Sequence, residues 1–355
     1  MTIVSVVGAR PQFVKAAALS RAIRREHTEI LIHTGQHYDP SMSQVFFEQL
    51  EIPHPDVNLE VGSAAHAVQT AEIMVRIEPW LLTHAPDWVV VYGDTNSTLA
   101  AALVAVKLGL RIVHVEAGVR SFDRRMPEEV NRVLVDRLAS LLLCPSASAV
   151  DNLSREGIRD GVHMVGDVMA DVIARLGTSG HDNGLLERLG VRQGQYVVAT
   201  VHRPENTDDA ARLSAILSAL EQVGEPTIFR VHPRTRSRLA QVDGALDRLA
   251  RAQVTVMDPV GYFDMLRLVR DARLLLTDSG GLQKEAYWLG VPCITLRDQT
   301  EWTETVEAGW NVIVGADPSR ILAAVRGFVP PAARPPLYGD GHAAERAVSL
   351  LSQPA

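Results

Sequence analysis

Cysteine is scarce: the 355-residue chain has two, Cys144 and Cys293, each inside an apolar run. They read as small buried residues rather than as a disulfide or a metal pair, and no metal site is expected from them. No uninterrupted apolar run reaches membrane-spanning length and no tract is of low complexity, so neither a membrane partner nor a fibrous or disordered class is expected. The N-terminal residues pass from Met1-Thr2 straight into Ile3-Val4-Ser5-Val6-Val7 without a basic n-region or a long h-region, and the expected compartment is the cytoplasm. Positive charge is in deficit, with 35 Lys and Arg against 42 Asp and Glu and a formal net charge of −7. That balance argues against general nucleic-acid binding but leaves room for a local basic pocket around a small anion. Neither the spacing G-x-G-x-x-G nor G-x-x-x-x-G-K-S/T stands at a strand-to-helix turn, so nicotinamide and P-loop readings lose their main support and no cofactor is expected.

What is present is an alternation of β-branched apolar runs with longer segments of helical periodicity, the pattern of parallel sheets flanked by helices. The length exceeds the roughly 250 to 300 residues that one core serves, so two domains are expected. In the first half the strand candidates are Ile3 to Val7, Glu29 to His33, Trp88 to Tyr92, Arg111 to Val115, Leu141 to Cys144 and His163 to Val165. In the second they are Tyr196 to Val201, Thr227 to Val231, Val254 to Met257, Arg273 to Thr277 and Cys293 to Leu296. The polar stretch Gly177 to Gly184 breaks the rhythm and marks the crossing, giving domains 1–176 and 177–355, the last helix being able to pack back on the first domain.

In such folds ligands lie beyond the carboxyl ends of strands, which directs attention to the residues just after each run. After the first strand, Arg10 and Lys15 stand near a helix opened by Pro11, two cations beside unpaired backbone N–H groups, where an anion would bind. Asp94 and Glu116 each follow an apolar strand directly. Glu128 sits just inside a helix that Pro127 opens, with Arg132 four residues on along the same face. An acid after a strand is often only a helix cap, but three from consecutive strand-to-helix turns are the raw material of acid and base catalysis. His202 and His232 follow two strands of the second half in equivalent positions. Ser279-Gly280-Gly281 opens a helix whose N–H groups could approach a diphosphate, and Glu285, one turn further, could accept from ribose hydroxyls.

These segments together resemble the non-hydrolysing UDP-N-acetylglucosamine 2-epimerases over nearly the whole chain. The resemblance is carried by Gly8-Ala9-Arg10-Pro11 with Lys15, His33-Thr34-Gly35-Gln36-His37, Tyr92-Gly93-Asp94-Thr95, Val115-Glu116-Ala117-Gly118, Pro127-Glu128-Glu129-Val130-Asn131-Arg132, His202-Arg203-Pro204-Glu205-Asn206 and Thr277-Asp278-Ser279-Gly280-Gly281. It implies an α/β fold of two Rossmann-like domains facing across a cleft, of GT-B type, and a homodimer. It implies catalysis by Asp94, Glu116, Glu128 and His202. Substrate binding falls to Arg10, Lys15, His37, Arg132, His232, Ser279, Gly280, Gly281, Glu285 and Trp302.

The chemistry fits such a set. Carbon 2 of a 2-acetamido sugar carries nitrogen and has no adjacent carbonyl, so its proton is too weakly acidic for simple removal and return. Eliminating UDP across C1 and C2 gives a 2-acetamidoglucal that can take UDP back with the proton delivered to the opposite face, which calls for carboxylates at C2 and cationic stabilisation of the leaving diphosphate. Two departures bear on the sugar. Thr300-Glu301-Trp302 replaces the usual Thr-Glu-Arg, and Val68 stands where an arginine of a second, activating UDP-sugar site is common. The Trp-containing loop is similar to relatives that epimerise UDP-2,3-diacetamido-2,3-dideoxyglucuronate, so that sugar is the alternative substrate. The rivals of other classes are a UDP-sugar glycosyltransferase, a hydrolysing epimerase and a nucleotide-sugar sensor.

Overall fold

The computed structural model describes residues 1–36, 53–176, 184–242 and 244–353, except for the side chains of Arg10, Arg175, Leu176, Pro233 and Arg234. The chain divides into two compact units, Met1–Ser179 with Pro336–Ala355, and Gly180–Pro335.

The first unit holds β1 (Thr2–Val7), β2 (Thr28–His33), β3 (Val57–Asn58), β4 (Trp88–Tyr92), β5 (Ile112–Val115), β6 (Leu141–Cys144) and β7 (Val162–Met164). They form one parallel sheet in the order β3-β2-β1-β4-β5-β6-β7. Its central strands are buried on both faces, which is why they read as unbroken runs such as Trp88-Val89-Val90-Val91-Tyr92. On one face Val4, Val6, Val89 and Val91 pack against Ile77 and Leu81 of the helix His66–His84, Ala101 and Ala105 of the helix Asn96–Lys107, and Val135 of the helix Pro127–Leu138. Each fully buried aliphatic side chain contributes about 1.5–3 kcal/mol. The helices Arg10–Glu26, Val168–Leu176 and Ala343–Leu351 pack against one another elsewhere in this unit, so the C-terminal segment belongs to the first unit and not to the second.

The second unit holds β8 (Val197–Val201), β9 (Thr227–Val231), β10 (Val254–Met257), β11 (Leu274–Thr277), β12 (Cys293–Thr295) and β13 (Asn311–Ile313). This sheet is also parallel, in the order β10-β9-β8-β11-β12-β13. Both sheets are doubly wound, and the strand order reverses between β1 and β4 in one and between β8 and β11 in the other. Ligands of such sheets bind at those reversals, outside the carboxyl ends. The edge strands β3 and β13 were not expected from the sequence. They are two and three residues long and only partly buried, too short to show a period.

One buried polar side chain ties the loops at each reversal. Gln12 Oε1 accepts from the backbone N–H groups of Gly8 and Ala9 at 2.8 and 2.9 Å, while Nε2 donates to Tyr92 O at 2.7 Å and Thr98 Oγ1 at 2.9 Å. Asp278 does the same work in the second unit, as described below. Among the described residues no helix is long and apolar enough to cross a membrane.

Candidate active site

In the first unit the loops after β4 and β5 and the start of the helix Pro127–Leu138 bring acids and cations together. Glu116 has a left-handed backbone, φ +73°, a conformation that costs a non-glycine residue about 1–3 kcal/mol and that persists only when its surroundings enforce it. Its carboxylate meets Lys15 Nζ at 2.5 Å, with the two side chains only 12% and 9% exposed. Gly93 makes room for this pair: a Cβ there would stand 3.2 Å from Lys15 Nζ and 3.7 Å from Glu116 Oε1, on a backbone with φ +60°.

Asp94 is not consumed as a helix cap, the bland role of an acid after a strand. Thr95 caps the helix Asn96–Lys107 through its own side chain, and Asp94 instead pairs with Arg132 Nη2. Arg132 lies four residues from Glu128 on the same helix, and its ion-pair partner within that helix is Glu129, at 3.0 Å. Glu129 is buried, and it also accepts from Ser121 N, Ser121 Oγ and Phe122 N at 2.9 to 3.0 Å. The adjacent Glu128 is half-buried and has no hydrogen-bond or ion-pair partner among the described residues. Helix rotation thus separates two neighbouring glutamates, one locked into the scaffold and one left available. Arg10 has its backbone at the start of the helix Arg10–Glu26, but its side chain, like the whole of His37, lies outside what is described.

In the second unit Asp278 follows β11, fully buried. It accepts from the backbone N–H of His202 and Arg203 at 3.0 Å, from Asn206 Nδ2 at 3.1 Å, and faces His202 Nδ1 at 2.9 Å. Burial alone would raise its pKa, but the imidazole of His202 and the N–H donors outweigh it and hold the carboxyl below the usual range. The contact occupies Nδ1 of His202 and leaves Nε2, on a side chain 36% exposed, for a ligand. His232 is exposed, its ring centroid 6.3 Å from that of His202.

Ser279 caps the ten-residue helix Gly280–Leu289. Gly281 is exposed with open space around its Cα, whereas a Cβ at Gly280 would come 2.5 Å from Glu301 Oε1 and 3.3 Å from Trp302 Nε1. At this helix N-terminus the Gly280 side is filled by Glu301 and Trp302, and the Gly281 side is open. Glu285 accepts from Tyr262 OH at 3.0 Å. Trp302 is buried at 5% exposure, and Lys284 Nζ lies 3.8 Å above its ring. Trp302 stands where the resemblance has an arginine, and Lys284 places a cation against its indole. Sequence reasoning also passed over Gln12 and Tyr262, neither of which follows a strand directly. Arg230 was missed too, although its signal was visible: it is a cation inside the strand Thr227–Val231, and burial lowers its pKa.

Two doubly wound Rossmann-like units, one carrying paired acids and cations and the other a helix opened by two glycines, define the GT-B-type class of nucleotide-sugar enzymes. A family model described as UDP-N-acetylglucosamine 2-epimerase matches residues 21–352, and the chain belongs to that family. It is 48% identical over 354 residues, covering 99% of both chains, to a UDP-N-acetylglucosamine 2-epimerase homolog of Methanococcus maripaludis. It is 45% identical, over 99% of this chain and all of the relative, to the UDP-2,3-diacetamido-2,3-dideoxy-D-glucuronate 2-epimerase of Pseudomonas aeruginosa. The crystal structure of Methanocaldococcus jannaschii UDP-GlcNAc 2-epimerase in complex with UDP-GlcNAc and UDP superposes with a TM-score of 0.91 at 40% identity, over 99% of each chain.

Proposed function

We propose that the chain interconverts UDP-N-acetylglucosamine and UDP-N-acetylmannosamine without hydrolysis. In the forward direction a carboxylate removes the C2 proton, the C1–O bond breaks and UDP departs with the electron pair, leaving a 2-acetamidoglucal. A proton is then delivered to the other face of C2 as a β-phosphate oxygen returns to C1. Asp94, Glu116 and Glu128 carry the proton transfers. Their surroundings differ, one beside Arg132, one beside Lys15 and one without a described partner, and such differences are what separate proton affinities within a set of like acids. The second unit holds the nucleotide, with the N-terminus of Gly280–Leu289 and His232 on the diphosphate, Glu285 on ribose, and His202 Nε2 assisting the departing group. The observation that carries this reading is Glu116, held in a left-handed conformation with its carboxylate against Lys15. Turnover in D₂O, followed by proton NMR, should place deuterium at C2 of the product. Epimerisation with full retention of the C2 proton would sink the mechanism.

A second sugar is favoured by one relative and one contact. The Pseudomonas aeruginosa relative is named for a diacetamido-uronate, and the ammonium of Lys284 over Trp302 is suited to a more anionic sugar. Steady-state kcat/KM on both UDP-sugars decides between them, a preference above about 10²-fold, or ~2.7 kcal/mol, being decisive.

We also infer a homodimer. Val68, Val75 and Leu82 are 56%, 69% and 61% exposed on the helix His66–His84, and Val130 and Leu134 are exposed two helices away on the same layer. Apolar side chains at a spacing of seven on one helix, with others exposed on a second helix of the same layer, make a surface that a second copy would cover.

A further inference from the structure

Beneath the acids of the first unit lies a buried polar network that the reaction does not touch. Asp136, on the helix Pro127–Leu138, is 1% exposed. Its Oδ1 meets His114 Nδ1 at 2.6 Å, and its Oδ2 accepts from Gly118 N at 3.1 Å and faces Arg120 Nη1 at 2.7 Å. The other ring nitrogen of His114, Nε2, donates to Gly93 O at 2.7 Å. Both ring nitrogens of His114 are thus engaged, one by the carboxylate and one by the carbonyl. Arg120 continues the chain to Glu156 at 2.7 and 2.9 Å.

The pieces held by this network are the two turns that carry the acids. Gly93 is fixed at both ends, its N–H on Val115 O at 2.9 Å and its carbonyl on His114, so the peptide leading into Asp94 cannot rotate. Gly118 and Arg120 are fixed by Asp136 itself, which closes the turn begun by the left-handed Glu116. Gly118 has no alternative residue there: its φ is +79°, and a Cβ would stand 2.3 Å from Ala149 O. One carboxylate thus reaches both turns, one directly and one through an imidazole.

A buried, charged network of this kind is a weak source of stability, because desolvation offsets most of the attraction and an apolar cluster of equal volume often does as well. What it supplies is a unique geometry. We propose that Asp136 is a positioning residue for the reaction, acting through His114 and Gly118 to hold the Asp94 and Glu116 turns in mutual register; the proposal rests on the catalytic reading of those two acids.

The test uses the full chain with Asp136→Asn, His114→Gln, Glu116→Gln and the double variant Glu116→Gln with Asp136→Asn. A misplacement of about 1 Å in a reacting group costs about 10²-fold, so Asp136→Asn should lower kcat by about that factor with UDP affinity by calorimetry unchanged. His114→Gln, which breaks only the arm to Gly93, should lower kcat in the same way. Because part of the clamp's effect runs through Glu116 itself, the double variant should lose clearly less than the product of the two single losses, as expected for coupled sites. The proposal is overturned by normal kcat in both single variants, by losses that multiply in the double variant, or by failure of both variants to fold. A parallel loss of UDP affinity would also overturn it, since a general structural role would then suffice. If Glu116→Gln itself keeps its kcat, the reading of the acids falls; if it loses kcat while Asp136→Asn does not, only the clamp falls.

Discussion

Glu116 and Asp94 have cationic partners close enough to determine what replacing them does. Asp94→Asn, Glu116→Gln and Glu128→Gln are each expected to lower kcat by at least about 10²-fold while UDP still binds, the loss associated with removing an acid or base. Near-normal kcat in two of the three, measured with calorimetric UDP affinity, would return those acids to a scaffold role. The position of each acid was legible in the sequence because each stands at or just after the end of a strand or the start of a helix. The partner of each was not. Lys15 meets Glu116 across 101 residues and Arg132 meets Asp94 across 38, and those meetings depend on β1, β4 and β5 lying side by side, which periodicity alone does not reveal. For the same reason Asp136 was invisible: a single acid inside an amphipathic helix looks like a solvated one until the sheet beneath it is known.

On the proposed reading, nucleotide binding depends on the helix Gly280–Leu289 and the loop after β8. Gly280→Ala would drive a Cβ to 2.5 Å from Glu301 Oε1, and Glu301 is itself held by Arg297 at 2.7 Å. UDP affinity measured by calorimetry should therefore fall at least about tenfold, because the close approach of backbone N–H groups to phosphate is lost. An unchanged affinity would mean that this helix end is not where the diphosphate sits.

Asp278 binds the two loops of the second unit's reversal, and its effect on stability has a defined sign. Its folded pKa is below the unfolded value, so its stabilisation is complete above the ordinary carboxylate range, about 3.9, and is lost as pH falls through the lower folded value. The stability gap between the native chain and Asp278→Asn, taken from urea unfolding, should be widest near neutrality and shrink as the solution is acidified below about pH 3.9. A gap that stays constant would assign the residue a packing role only. At this scale the strands were legible because those buried on both faces leave long apolar runs. The edge strands Val57–Asn58 and Asn311–Ile313 leave none.

For the whole molecule, the exposed stripe of Val75 and Leu82 predicts the assembly state. Sedimentation velocity should show a dimer for the native chain and a folded monomer for Val75→Glu with Leu82→Glu, since a charge in an apolar contact is costly to bury. A native monomer would leave the stripe without its proposed occupant.

The division of the chain has one more consequence. The segment Pro336–Ala355 packs with the first unit, where Asp171 accepts from the backbone N–H groups of Ala343 and Ala344 at 3.0 and 2.7 Å. On the ribosome that segment emerges after every residue of the second unit. The first unit therefore waits, with the helices Arg10–Glu26 and Val168–Leu176 still uncovered, while the second, continuous in sequence, can already close. During synthesis the half of the protein made first is completed last, and a released chain ending before residue 336 would hold a finished second unit and an unfinished first.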